Sequence, residues 1–530
     1  MRVTVIGGGG AALLAAISAA EAGAEVSLVS KTPVGFGSCT AHSGGAFTLA
    51  AGGTTPAAHY DMTMSTGKGL NDARLVSILA EQAPRRVADL ARYGVELKQS
   101  PSGARAGENL GELVRGLAIT RPLTAYARKM GVRILDRTAA TRIVMEGDGP
   151  RAVDVMALSS GEALSLPCRA VVVATGGAGR IYRRTDNPVR TTGDGHRLLA
   201  ETGATFRDME FVQFYPLGFD EPGFPVWAVE LTLLDYCRLT NARGEPFLEA
   251  RFKQWGISSA VEANLRARDL CALETARELE ETGKVELHLE EVDLSRVTSP
   301  RDRGVLDALF RMFPPGRSHT AGPVGVSPVQ HYFCGGVVTD EECGTGVPGV
   351  YACGEVVGGL DGANRLGGNA LTSLAVFGPI AGASAARFAL SSGDYRYSGS
   401  SRRWRECPPP ATVNGQIRVH PEELKRQIRL VCDRYLGPIR NAAGLRKALD
   451  ELGGLEAECR NPVAATPRES LEGFEAGAML LAAEMVATAA LHREESRGVH
   501  FRSDFPWQDA GFDHPTHIRV VDGRPIVIAP

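Results

Sequence analysis

Short apolar runs alternate with glycine clusters through the first half of the chain, a pattern that predicts buried strands separated by turns and packed helices. Val3 to Ile6 is a continuous apolar run, as expected of a strand covered on both faces. Gly7-Gly8-Gly9-Gly10-Ala11-Ala12 follows, then an alanine-rich helix ending near Gly23, then a second strand from Glu25 to Val29. A third buried run, Ala170 to Ala174, leads into Thr175-Gly176-Gly177-Ala178-Gly179. From about Leu217 to Val324 the texture changes to mixed charged helices, including Glu262 to Glu281. Ser391 to about Thr412 is rich in Ser, Arg and Pro and predicts a surface linker. Glu422 to Leu452 and Leu471 to Glu495 have helical spacing.

The pattern predicts an α/β chain. A Rossmann-like ligand-binding domain (residues 1–217 and 326–395) is interrupted by an inserted α+β capping domain (218–325). A linker (396–412) and a C-terminal helical domain with its tail (413–530) complete it. At 530 residues there is ample core for each part. A net charge of -3 gives no electrostatic case for nucleic acid or an anionic membrane. The ten cysteines form no CxxC, which argues against a cluster, zinc or c-type haem site and for reduced thiols in a cytoplasmic protein. A strand beginning at Val3 leaves no room for a signal peptide. The apolar run near Gly477 to Leu491 contains Glu484 and is short for a bilayer span, so no membrane insertion is expected.

The first glycine turn has the strand–turn–helix–strand context of a dinucleotide site. Gly7 makes the tight turn, Gly9 lets a pyrophosphate approach backbone N–H groups, and Ala12 allows close helix packing. The second strand ends at Ser30-Lys31 instead of an acidic residue, which disfavours NAD. A second glycine turn, followed by Thr192-Gly193-Asp194-Gly195, suits a long ligand such as FAD extended across the sheet.

Further along stand Gln213-Phe214-Tyr215-Pro216-Leu217, His331-Tyr332-Phe333-Cys334-Gly335-Gly336, Gly362-Ala363-Asn364-Arg365-Leu366-Gly367-Gly368-Asn369-Ala370-Leu371 and a closing Arg493 to Arg502 segment. Together and in this order, these motifs resemble the flavoprotein family of succinate dehydrogenase, fumarate reductase and L-aspartate oxidase, over most of the chain. The resemblance implies an FAD-binding domain, a mobile cap, and hydride transfer between flavin N5 and a substrate carbon, with a proton moving at the neighbouring carbon. It implies that Gly7, Gly9, Gly10, Ala11, Ser30 and Lys31 line the FAD from the first unit. Ser38, Thr40, Gly44 and Gly45 would line it from the next loop, and Ala174, Thr175, Gly176 and Asp194 from the second turn. Glu355, Arg365, Asn369, Ala370 and Leu371 would complete the site, with Glu355 accepting from a ribose or ribityl hydroxyl. It further implies that His331 and Arg365 grip a substrate carboxylate, that Arg268 is the general acid or base, and that Glu230 belongs to its proton relay.

The chain departs from the family pattern at one end of this site. Tyr215 stands where the family has a histidine that helps hold a second carboxylate. Val229 stands for a threonine with the same role, and Leu233 for the relay arginine. These changes predict a small acid substrate with one carboxylate or carbonyl and a less polar, aromatic-tolerant far end, interconverted between saturated and 2,3-unsaturated forms. No histidine occupies the covalent-attachment position between Gly37 and Gly45, although His42 lies close, so non-covalent FAD is expected. Asp361 and Cys334 also depart from the pattern, without a functional account. Two other readings are an amino-acid oxidase like L-aspartate oxidase, and an electron-transfer subunit with an altered site. Any longer electron relay would need a separate electron-transfer protein, since the chain carries no cluster ligands.

Overall fold

A computed structural model describes residues 1–100, 103–107, 115–147, 149–391, 419–460 and 466–529; the expected linker 396–412 lies outside them. The first domain is built on a five-stranded parallel sheet in the order Val350–Ala352, Ala170–Val173, Arg2–Ile6, Glu25–Val29, Arg133–Leu135. The three strands predicted from apolar runs are its centre. Both faces are covered, because alternate residues feed different cores: Ala170 and Val172 pack with helices Gly10–Glu21 and Asn369–Ser391, while Val171 and Val173 pack towards the C-terminal helices. The two covering helices approach closely at Gly382, where a β-carbon would strike the backbone of Ala15.

The inserted region forms a second sheet, in the order Val212–Phe219, Val324–Phe333, Val285–Leu287, Leu239–Asn241. The expected boundaries at 217/218 and 325/326 fall inside its two longest strands, which pair antiparallel with each other. Helices Ala260–Arg266, Arg268–Thr282 and Pro300–Phe310 pack on it around an apolar core.

The C-terminal part differs from a helical domain with a free tail. After helices Pro421–Tyr435, Ala442–Gly453 and Pro467–His492, the strands His517–Val521 and Arg524–Ile528 join Phe206–Arg207 and Gly336–Val337 in one sheet. The closing segment is an ion network: Arg493 donates to Glu210 at 2.5 Å and Glu495 at 2.9 Å, all three fully buried. Its role is to lock the C-terminus onto the first domain. Helices Asn369–Ser391 and Pro467–His492 are long and apolar enough to cross a bilayer, the second longer than the run near Gly477 suggested. In each, 72% of the apolar window is buried inside the protein, the pattern of a core helix.

Candidate functional site

The glycine turns, the loop after Ser38 and the cap enclose a cavity of about 540 Å³. Gly7 has φ +139°, and a β-carbon there would fall on the carbonyl oxygen of Ala174, so the turn holds the two central strands together. Helix Gly10–Glu21 starts from Gly9 without a side-chain cap, which leaves its first N–H groups for an anion. Gly10 N donates to Thr40 Oγ1 at 3.2 Å, fixing the Ser38 loop over the turn. The Thr175 hydroxyl is buried in the wall without a protein partner among the described residues, as a ligand-facing group would be. Glu355 accepts from Phe333 N at 3.1 Å, and burial pushes its carboxyl up to about 7.

Of the residues expected at the cofactor, all but Asn369 line this cavity. Asn369 is fully buried and bonds His59 Nε2 through Oδ1 (2.9 Å) and Thr63 Oγ1 through Nδ2 (3.0 Å), which anchors the start of helix Asn369–Ser391. Lys31 is not an isolated cation. Its ammonium meets Asp194 at 2.6 Å and Glu475 at 3.0 Å, the latter on the C-terminal helix. Burial opposes its charge, but the two carboxylates hold its pKa above the ordinary value. Glu475 also takes Arg190 at 3.0 Å and Lys425 at 3.4 Å; against the effect of burial, these cations bring its carboxyl down to about 2. Nothing in the local sequence marked Glu475, because its partners come from three distant segments. His42 lines the same cavity and bonds Ser38 O through Nδ1 at 2.9 Å.

His331, Arg365, Arg268, Tyr215 and Glu230 are brought together on the cap side of the cavity. His331 Nδ1 lies 2.7 Å from Asp186 Oδ2, which orients the ring and leaves Nε2 as the nitrogen a ligand can meet. Asn187 Nδ2 donates to the His331 carbonyl at 2.9 Å. Sequence reasoning missed this Asp-Asn pair; its only local signal was a turn-forming Asp-Asn-Pro just before Thr192. Arg365 lies 4.4 Å over the Tyr332 ring and donates to Gln213 Oε1 at 3.1 Å. The Nε atoms of Arg365 and Arg268 are both buried without a protein partner among the described residues. Burial, with help from Arg365, lowers the pKa of Arg268. This site offers two cationic donors and a carboxylate-anchored imidazole to one small anion.

The opposite wall corrects the sequence reading. Val229 and Leu233 are fully buried in the core of the cap and do not line the cavity. The short 3-10 helix Leu231–Asp235 turns them inward and brings Thr232 to the cavity instead. Tyr215 does line it, with its hydroxyl donating to Asn264 Oδ1 at 2.9 Å and accepting from Leu231 N at 3.0 Å. The wall is therefore mixed: Trp227, Ala228, Val261 and Leu265 are apolar, and Arg105 and Arg301 are cationic.

The chain matches a family model described as FAD binding domain over residues 2–371, and one described as fumarate reductase flavoprotein C-term over residues 425–520. It is 31% identical to an L-aspartate oxidase of Streptomyces coelicolor over 96% of this chain and 89% of the relative. It is 30% identical to a fumarate reductase (CoM/CoB) subunit of Methanothermobacter marburgensis, over 95% of this chain and 94% of the relative. Among solved structures, a quinol-fumarate reductase with menaquinol molecules superposes with TM-score 0.85 at 25% identity, covering 99% of this chain and 97% of that one. Mycobacterium smegmatis Sdh1 in complex with UQ1 gives TM-score 0.84 at 28% identity, covering 100% and 94%. FAD is the cofactor these matches name, and the glycine cradle, the uncapped helix start and the orphaned Thr175 hydroxyl fit it. The chain belongs to the FAD-binding flavoprotein family of succinate dehydrogenase, fumarate reductase and L-aspartate oxidase.

Proposed function

We propose that this FAD-dependent oxidoreductase interconverts a saturated carboxylate and its 2,3-unsaturated form, and that the acid carries a partly apolar far end. One observation carries the reading: Arg268 and Arg365, each with a buried unpartnered Nε, face the same cavity as the Asp186-anchored His331. When bound, FAD supplies the hydride donor or acceptor. In this reading His331 and Arg365 hold the carboxylate and withdraw charge from the double bond. Arg268 gives a proton to, or takes one from, the carbon next to the one that exchanges hydride. Arginine is a poor acid in water, but burial lowers the pKa of this one and excludes competing solvent. The apolar reading of the far end now rests on Trp227, Ala228, Val261 and Leu265, not on Val229 and Leu233.

Similarity to L-aspartate oxidase favours a second reading, oxidation of an amino acid with electrons passed to oxygen. Both are tested by reducing the bound flavin anaerobically and following its reoxidation by fumarate, crotonate and trans-cinnamate. A parallel assay seeks peroxide from L-aspartate in air. Fastest reoxidation by an apolar-tailed acid is the result expected. Reoxidation by fumarate alone would overturn the far-end reading, and peroxide from aspartate with no reoxidation by any acid would overturn the whole. A cytoplasmic location and a separate electron-transfer protein belong to the same proposal; the multi-subunit assemblies of similar flavoproteins support the second.

A further inference from the structure

We propose that Arg301, on the cap helix Pro300–Phe310, is the positioning partner of Glu230 and holds that carboxylate between solvent and Arg268. The inference rests on the reading of Arg268 as the proton donor. Arg301 Nη2 lies 3.0 Å from Glu230 Oε2, and both side chains line the cavity. They are 35% and 33% exposed, so the pair sits where the site meets water. On its inner side, the charge of Glu230 is felt by Arg268 and by Tyr215, which stack on each other. Arg105, on strand Gly103–Ala106 of the first domain, lines the cavity near the same carboxylate. Leu233, three residues past Glu230, is fully buried in the cap core and offers nothing to it. Thus the cation that fixes Glu230 comes from 71 residues away, where no local spacing reveals it.

The proton count closes without moving a proton through Arg301. In the reductive direction Arg268 releases one proton to the substrate carbon and becomes neutral. Glu230, as the acid, returns a proton to Arg268, and the carboxylate is reprotonated from water. One solvent proton enters the product per turnover. Arg301 keeps the carboxylate within reach of both ends and prevents it from turning out to solvent.

The test uses the full-length holoenzyme with Arg301→Met, Arg301→Lys and Arg268→Ala, assayed with trans-cinnamate and with fumarate. Arg301→Met is expected to lower kcat about 10–100-fold, as losing an orienting partner does elsewhere. KM should stay within about twofold, the solvent deuterium isotope effect on kcat should rise, and Arg301→Lys should recover most of the loss. A raised KM with kcat kept would overturn the inference, since Arg301 would then grip the substrate. So would unchanged kinetics, or a kcat loss accompanied by an equal loss of bound flavin. If Arg268→Ala keeps full turnover, the underlying reading of Arg268 fails, whatever Arg301→Met does.

Discussion

The guanidinium of Arg268 rests 5.0 Å above the centroid of the Tyr215 ring. That ring is itself fixed, because its hydroxyl bridges Asn264 and the backbone of Leu231 and its face meets His331 edge-on at 5.7 Å. Tyr215 is therefore a platform shared by the proposed acid and the proposed carboxylate grip. A buried cation–π contact of this kind contributes about 2 kcal/mol. Tyr215→Leu is expected to retain FAD but lower turnover by roughly 10-fold or more, the rate equivalent of that energy. Tyr215→Phe keeps the platform and leaves Leu231 N buried without an acceptor, costing about 1–3 kcal/mol in a denaturant melt with a smaller effect on rate.

Glu475 ties the C-terminal helix to two cations of the cofactor cavity. Glu475→Gln leaves Lys31, Arg190 and Lys425 without their shared carboxylate, a loss of about 3 kcal/mol. Weaker FAD binding, read by flavin fluorescence, should accompany it. The folded carboxyl lies near 2, below its ordinary 4.5. Its contribution is therefore present above about pH 4.5 and is lost as pH falls towards 2. The variant should show a correspondingly shallower acid denaturation.

Glu355 has the opposite sign. Burial raises its carboxyl from 4.5 to about 7, so the folded apoprotein binds a proton that the unfolded chain releases. Its contribution is full below pH 4.5 and declines as pH rises to about 7. Glu355→Gln is expected to flatten this part of the apoprotein's stability–pH curve and to raise its melting temperature above pH 7. An unchanged slope would show that Glu355 is ionised in the fold.

Gly7→Ala should abolish FAD retention. Its φ of +139° strains any side chain, and the new methyl would meet the Ala174 carbonyl, prising apart the central strands under the cofactor. Flavin content after purification checks this directly; normal flavin content would contradict the assigned turn.

Much of the first domain was legible because glycine turns and continuous apolar strands are local signals. Val3–Ile6, Glu25–Val29 and Ala170–Val173 all lie in the parallel sheet, and their turns line one cavity. His331, Arg365 and Arg268 were legible through motif resemblance, and the fold brings them together. The far wall was not legible, because counting along the chain from Glu230 assumes an extended segment. A 3-10 turn after Glu230 instead buries Val229 and Leu233 and presents Thr232. Asp186, Glu475 and Arg301 escaped for a related reason: each acts on a residue far away in sequence. The C-terminal strands were hidden by their shortness and by partners more than 150 residues upstream.

The central claim, that Arg268 moves the proton at a site where FAD handles the hydride, is tested most directly by single-turnover reoxidation of the reduced flavin in Arg268→Ala. Full flavin content is predicted, with reoxidation by trans-cinnamate or fumarate slowed at least about 100-fold. Full flavin content with reoxidation at the wild-type rate would contradict it.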